Sequence, residues 1–162
     1  MEAFGYRDEF TDEAQINSQN SLQLIAFSIG DQTYGVEITT VREIRAWNGA
    51  TPLPNTREYV RGVINLRGTI VPIFDLRARF GEGPTSATKN HVVVVMSVGE
   101  KWVGMLVDAV SDILTIDKND IHVVPEGSNG DAELLSGIVT HDSRMVGLID
   151  LDAVVNGGKA AA

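Results

Sequence analysis

The sequence predicts an all-β fold built from two similar modules, and three observations lead to this prediction. Short runs rich in β-branched and aromatic residues are separated by turns that contain glycine, as in small barrels and sandwiches. No stretch has the apolar periodicity of an amphipathic helix longer than about three turns. The order of apolar runs and turns in the first half of the chain also recurs in the second half.

The first module has predicted strands with the apolar and β-branched residues that favour this conformation. They cover residues 22–29, 33–38, 63–66 and 69–74. The turn Arg67-Gly68 joins the last two as a tight hairpin, because glycine readily takes the positive φ that such a turn needs. Pro72 lacks a backbone N–H, so its strand is expected to lie at a sheet edge or to carry a bulge. Residues 39–45 are predicted to form one helical turn.

The second module repeats these elements after a linker at residues 81–90, in which Gly, Pro, Ser and Thr cluster. Its predicted strands cover residues 91–98, 102–107 and 145–151. Residues 108–113 are predicted to form one helical turn. The run 92–96 (VVVVM) is apolar on both faces, so we expect it at the seam between the modules.

Residue-by-residue matches support an internal duplication. Residues 22–44 align with residues 91–113 without a gap, and residues 62–76 then align with residues 137–151. The matched pairs include Gly35 and Gly104, Val41 and Val110, Glu43 and Asp112, Ile44 and Ile113, and Asp75 and Asp150. The same order of matches in both halves indicates two homologous units.

The two modules, roughly residues 22–80 and 91–155, are expected to share a hydrophobic core. A unit of about 60 residues buries little apolar surface by itself, so packing one module against the other is the stable arrangement. The sequence leaves open whether strands are exchanged between the modules, since the first strand could complete either one.

Composition excludes several classes of protein. The chain has 162 residues, a net charge of −9 and no cysteine, which rules out a disulfide framework and cysteine-based zinc sites. The negative charge argues against a nucleic-acid partner, and the longest apolar run is too short for direct membrane insertion. Residues 1–21 and 156–162 are predicted to be flexible tails. These features predict a cytoplasmic protein.

No catalytic, metal or cofactor site stands out. The histidines at positions 91, 122 and 141 lack a second ligand at a metal-binding helical spacing, and no G-x-S-x-G motif is present. Asp75 and Asp150 could suggest a catalytic carboxylate pair. They stand at equivalent strand ends, however, where aspartate commonly accepts hydrogen bonds from turn N–H groups. The sequence therefore predicts a protein that is not an enzyme.

Two surface features remain as candidates for partner contacts. Arg67 is placed at the tip of an apolar hairpin, where its charge can stay in water or meet a partner carboxylate. The segment Val41-Arg42-Glu43-Ile44 alternates apolar and charged residues after a strand. It is either an ordinary edge segment, with Val41 and Ile44 directed inward, or part of a contact surface.

These residues carry a resemblance to the CheW family of bacterial chemotaxis coupling proteins, from about residue 22 to 155. The motifs VREIR (41–45), GVINLRG (62–68) and VPIFDLR (71–77) occur in this order and spacing, and the combination is specific. The resemblance implies two SH3-like five-stranded β-barrels packed around a shared hydrophobic core. It also implies a non-catalytic adaptor without cofactors.

The function implied by the resemblance is to couple the cytoplasmic tips of chemoreceptors to the regulatory domain of the histidine kinase CheA. Such adaptors are recruited to receptor arrays at the inner face of the membrane. By motif match, Val41, Glu43 and Ile44 are expected to bind the receptor. Gly62, Asn65 and Arg67 are expected to serve signalling and kinase coupling.

In the family, a second kinase contact uses the segment that matches residues 121–127, often with an aromatic residue. This sequence has no aromatic residue there. Two alternatives stay open, namely a detached CheA-type regulatory domain and a small-ligand-binding β-barrel protein. The second alternative would require polar groups that converge in a pocket.

Overall fold

A computed structural model describes residues 20–125 and 133–156 of the chain, and the described part is built from β-strands with a few short helical segments. The strands are β1 (Ser21–Ile29), β2 (Gln32–Glu37), β3 (Val41–Ala46), β4 (Val60–Leu66), β5 (Thr69–Asp75), β6 (Val92–Val98), β7 (Lys101–Val107), β8 (Ala109–Asp117), β9 (Leu135–His141) and β10 (Arg144–Ile149). The α-helices are α1 (Leu76–Arg79) and α2 (Leu151–Asn156). Most of both predicted tails, at residues 1–19 and 157–162, lies outside the described residues. Asn156, assigned to a tail, ends α2.

The strands form two five-stranded sheets, which confirms the all-β prediction. Sheet A has the order β8-β1-β2-β10-β9, and sheet B has the order β3-β6-β7-β5-β4. Each strand of sheet A occupies the place that the strand five positions away in the sequence occupies in sheet B. The internal duplication inferred from the sequence is therefore present in the topology.

Neither sheet coincides with one sequence module. The β1–β2 hairpin, from residues 22–80, lies in sheet A, and the β6–β7 hairpin, from residues 91–155, lies in sheet B. Parallel pairing joins each exchanged hairpin to its sheet, β2 to β10 and β7 to β5. Each sheet thus needs strands from both halves of the chain.

Two predictions of local structure were wrong. The segments 39–45 and 108–113 are largely strands, because β3 and β8 begin at Val41 and Ala109 and pair with β6 and β1. Only Ile38–Thr40 forms a 3-10 turn ahead of β3. Backbone pairing with a distant strand decides these conformations, and local sequence does not contain that information.

The strand that carries Pro72 is an interior strand, contrary to the predicted edge position. β5 lies between β7 and β4, and its ladder with β7 begins only at Ile73, one residue after the proline. The register irregularity lies in the neighbouring strand β4, between Val60 and Gly62. The final predicted strand is also shorter than expected, since β10 ends at Ile149 and Leu151 begins α2.

The core has a central cluster shared by both sheets and a separate cluster on the far face of each sheet. Phe27 of sheet A and Met96 of sheet B belong to the shared cluster. In β6, Val94 and Met96 point into this cluster, whereas Val93 and Val95 point into the cluster of sheet B. The predicted shared core is confirmed, and the apolar run 92–96 is explained because both faces of β6 are buried.

Candidate protein-interaction site

The strand β3 is an outermost strand of sheet B and pairs only with β6. Val41 is opposite Met96, and Glu43 is opposite Val95, so Arg42 is an extra residue that forms a bulge. Val41 packs partly against the shared core. Ile44, in contrast, is 43% exposed and is available to a partner. Ile44 is opposite Val94 and is therefore on the same face of the sheet as Val41, but it is less covered by the shared core.

The β4–β5 hairpin presents the second group of predicted residues. Its turn residues Arg67 and Gly68 both have positive φ, 51° and 92°, which is the backbone of a two-residue type I′ turn. The Asn65 side-chain oxygen accepts a hydrogen bond from the Gly68 N–H at 2.7 Å. Asn65 thus stabilises the turn that carries Arg67, whose side chain is 70% exposed.

An ion pair joins the hairpin to β3. The Arg67 Nη2 lies 2.8 Å from the Glu43 Oε1, and the Arg45 Nη1 lies 3.8 Å from the Glu43 Oε2. β3 and β4 are the opposite ends of sheet B in the order of strand pairing, so the ion pair joins two elements that are not paired with each other. The structure thereby brings together Glu43 and Arg67, which the sequence placed in two separate groups.

Gly62 has a packing role. Its φ is 140°, and a Cβ at this position would overlap the carbonyl group of Thr51. Thr51 and Val63 exchange two backbone hydrogen bonds of 2.9 Å, which hold the β3–β4 connection against β4. Because Gly62 is buried, it has no surface to offer a partner. The close approach to Thr51 could not be read from the sequence, since it joins segments that are not strand neighbours.

An open cleft of about 430 Å³ lies next to Arg45 and Asn65, beside the Glu43–Arg67 ion pair. It is lined by the end of β3, the segment 47–51 and part of β4, and includes the side chains of Arg45, Trp47 and Asn65. Arg45 is paired with Glu43, and Asn65 with the Gly68 N–H. Both of these side chains therefore already have partners within the chain.

The aspartates that could suggest catalysis serve as helix caps, as their turn interpretation predicted. Asp75 is buried and accepts hydrogen bonds from the Ala78 N–H, from the Thr85 N–H and hydroxyl at 2.8 and 2.6 Å, and from Arg61. Asp150 accepts one from the Ala153 N–H at 3.1 Å. The Asp75 network also ties Thr85, in the middle of the 81–90 linker, to sheet B.

Residues 20–125 and 133–156 show neither a metal-binding cluster nor a helix suited to crossing a membrane. This part of the chain contains no cluster of three or more His, Asp or Glu side chains that could hold an ion. Two histidines have single acidic partners, His91 with Asp108 at 3.4 Å and His141 with Asp142 at 3.5 Å. No helix there has the length and apolar content that a bilayer crossing requires.

Exposed apolar side chains mark further surface that the sequence analysis did not single out. Leu53, Ile70 and Met145 are 44%, 59% and 64% exposed, and Val123 is 87% exposed. Val123 lies in the segment 121–127, of which Glu126 and Gly127 are outside the described residues. Leu53 and Val123 lie outside the strands, where no side-chain alternation indicates which residues are covered, so the sequence held no signal for them.

Comparison with known proteins identifies the family. The sequence matches the CheW-like domain family over residues 23–158. It is 49% identical to the probable chemotaxis protein CheW of Rhizobium etli over 138 residues, covering 85% of this chain and 89% of that protein. It is 44% identical to the chemotaxis protein CheW of Rhizobium meliloti, covering 89% and 94% of the two chains.

A solved structure has the same fold. The scaffolding protein TtCheW from Thermoanaerobacter tengcongensis superimposes with a TM-score of 0.77 at 33% sequence identity, over 84% of this chain and 90% of that one. The VREIR, GVINLRG and VPIFDLR motifs fall within the family match, on β3, β4–β5 and the start of α1. The chain therefore belongs to the CheW-like family of chemotaxis scaffold proteins.

Proposed function

We propose that this chain is a non-catalytic adaptor that couples the cytoplasmic tips of chemoreceptors to the histidine kinase CheA. Each sheet, with its own cluster on one face and the shared core on the other, serves as one SH3-like barrel of the adaptor. The observation that carries the proposal is the Glu43–Arg67 ion pair, because it joins β3 to the β4–β5 hairpin. Binding of a partner at β3 can therefore change the position of the β4–β5 hairpin, and binding at the hairpin can change the position of β3.

β3 is the proposed receptor-binding strand. The exposed Ile44 and the partly buried Val41 supply aliphatic surface. Beside them, Glu43 holds the side chains of Arg45 and Arg67 through ion pairs. A receptor tip is a helical hairpin, and an apolar stripe on a helix is suited to such a surface. The aliphatic contacts provide most of the binding free energy, because ion pairs between exposed charged side chains contribute little to it.

The β4–β5 hairpin is the proposed kinase-coupling element. Arg67 is its exposed group, Asn65 stabilises the turn, and Gly62 allows the β3–β4 connection to pack on the base of the hairpin. The chain has to do no chemistry in this mechanism. By holding receptor and kinase in one relative placement, it favours one kinase population over another.

The adaptor is proposed to act in the cytoplasm at receptor arrays on the inner face of the membrane. Individual contacts of this kind are weak, and many adaptors in one array raise the overall strength of binding through effective concentration. Recruitment through partners is consistent with a chain whose described helices do not suit a bilayer crossing.

The proposal is tested by mixing the purified chain with a soluble chemoreceptor fragment that contains the hairpin tip and with CheA. A ternary complex is expected in sedimentation or size-exclusion experiments, and receptor-dependent kinase activity should require the chain. A chain that binds neither partner at concentrations in the tens of micromolar would contradict the proposal.

A further inference from the structure

The two sheets carry opposite net charges. Among the described residues, the segment 41–107, which contains all strands of sheet B, has nine Lys or Arg and five Asp or Glu, a net charge of +4. The other described residues, which contain all strands of sheet A, have two Lys or Arg and ten Asp or Glu, a net charge of −8. Although the chain as a whole is acidic, the segment that forms sheet B is therefore basic.

β8 is the structural duplicate of β3. Both are outermost strands with a single paired neighbour, and the register of both shifts at the same place. In β3 the extra residue is Arg42, and in β8 it is Ser111. After the bulge, both strands present an acid followed by an exposed isoleucine. Ile44 is 43% exposed, and its counterpart Ile113 is 55% exposed.

The acid on each edge strand is paired with an arginine of the hairpin in its own sheet. The Glu43–Arg67 distance is 2.8 Å, and the Asp112–Arg144 distance is 3.7 Å. A partner that recognised only the bulge, the isoleucine and the ion pair would therefore find two similar places to bind on one chain. Shape alone does not choose between them.

Charge distinguishes the two strands. β3 has Arg42 and Arg45 where β8 has Ser111 and Leu114. The Arg45 side chain is 38% exposed, and that of Arg67 is 70% exposed. Glu43, the single acid of β3, is paired with Arg67 and Arg45. It therefore orients their guanidinium groups and is already neutralised within the chain. The β3 surface is thus basic, whereas β8 adds a second acid, Asp117.

We propose that the partner docking on β3 presents acidic side chains beside its apolar contact, and that Arg42, Arg45 and Arg67 make it choose β3 over β8. This inference rests on the proposed function, which places the chemoreceptor tip on β3. An acidic partner is attracted by the segment that forms sheet B, with a net charge of +4, and repelled by the segments that form sheet A, with a net charge of −8. Charge thus sets the orientation of an otherwise pseudo-symmetric adaptor.

Salt dependence provides the first test. The dissociation constant of the chain for a soluble chemoreceptor fragment with its hairpin tip is measured from about 0.05 to 0.5 M NaCl, over which the screening length falls from above 10 Å to below 5 Å. Binding should weaken at least tenfold. Unchanged affinity across this range would overturn the inference and leave the proposed function intact.

Residue exchange between the duplicates provides the second test. The variant Arg42→Ser with Arg45→Leu gives β3 the residues of β8, and it should lose at least tenfold in affinity at low salt and show a flatter salt dependence. Arg144→Ser removes an arginine from the acidic sheet and should leave binding within twofold. Equal effects of the two variants would contradict selection by charge. Circular dichroism checks that each variant is folded.

The third test is where on the chain the receptor fragment binds, because it distinguishes docking on β3 from docking on β8. Amide chemical shifts should change along residues 41–46 of the natural chain. The double variant with added Ser111→Arg and Thr115→Arg, both at exposed positions of β8 and both leaving the Asp112–Arg144 pair in place, should show changes along 109–115. Changes confined to β3 in that variant would overturn the inference. No shift changes at any salt, in any variant, would instead overturn the proposed receptor contact on which the inference rests.

Discussion

The Glu43 carboxylate and the Arg67 guanidinium lie 2.8 Å apart, although they belong to strands at opposite ends of sheet B. This contact connects the edge strand β3 to the β4–β5 hairpin. Since Arg67 is 70% exposed, the ion pair adds little to the stability of the fold, and its value lies in fixing how the two elements are placed.

Charge removal at this pair should affect coupling more than folding. We expect Glu43→Gln and Arg67→Gln each to reduce receptor-dependent kinase activation severalfold, while the free energy of unfolding changes by less than about 1 kcal/mol. Activity is measured in the reconstituted ternary complex, and stability by urea titration. Reversing both charges together should restore part of the activation, and a double variant no better than either single one would show that the pair itself is unimportant.

Ile44→Asp should weaken receptor binding at least tenfold with the fold intact, because a charge replaces an exposed aliphatic side chain at the proposed contact. Ile70→Asp is the matched control, since Ile70 is more exposed than Ile44 and lies at the start of β5. Binding is measured by calorimetry with the receptor fragment. If the control variant loses as much affinity as Ile44→Asp, the receptor surface is misplaced.

Gly62→Ala should destabilise the chain by about 2–4 kcal/mol, because the new Cβ meets the Thr51 carbonyl and the backbone has a positive φ. Gly68→Ala is the control, because its φ is also positive but nothing lies within 4 Å of the added Cβ. It should cost about 1 kcal/mol. Thermal unfolding of both variants separates packing from backbone strain, and equal losses would refute the close approach.

Asp75→Asn should destabilise by about 3 kcal/mol, since the buried carboxylate is lost while Arg61 keeps its charge. Asp150→Asn should cost about 1 kcal/mol, because Asp150 caps α2 and has no ion pair with any residue that the structure describes. Urea titration gives both values. Proteolysis of Asp75→Asn should also increase in the 81–90 linker, which Asp75 holds through Thr85. A linker as resistant as that of the natural chain would argue against this anchoring role.

Several features could be predicted because they depend on short-range information. Alternating apolar runs and glycine turns are enough to place most strands, and the hairpin at Arg67-Gly68 follows from Gly68, which tolerates positive φ. The hydrogen bonds that Asp75 and Asp150 accept from turn N–H groups follow from their place at strand ends, whereas the short helices after them were not predicted. The residue pattern also marked Arg67 and the segment Val41–Ile44 as candidate contacts, whereas the roles expected of them came only from motifs shared with a family.

The sequence by itself determined that the chain is all-β, that it contains a duplicated unit, and that the two copies share a core. Only the tertiary structure decided which hairpin completes which sheet, that the strand with Pro72 is interior, and that Glu43 meets Arg67. The physical reason is that side-chain alternation records which face of a strand is buried, whereas the neighbour of a strand is set by pairing between distant segments.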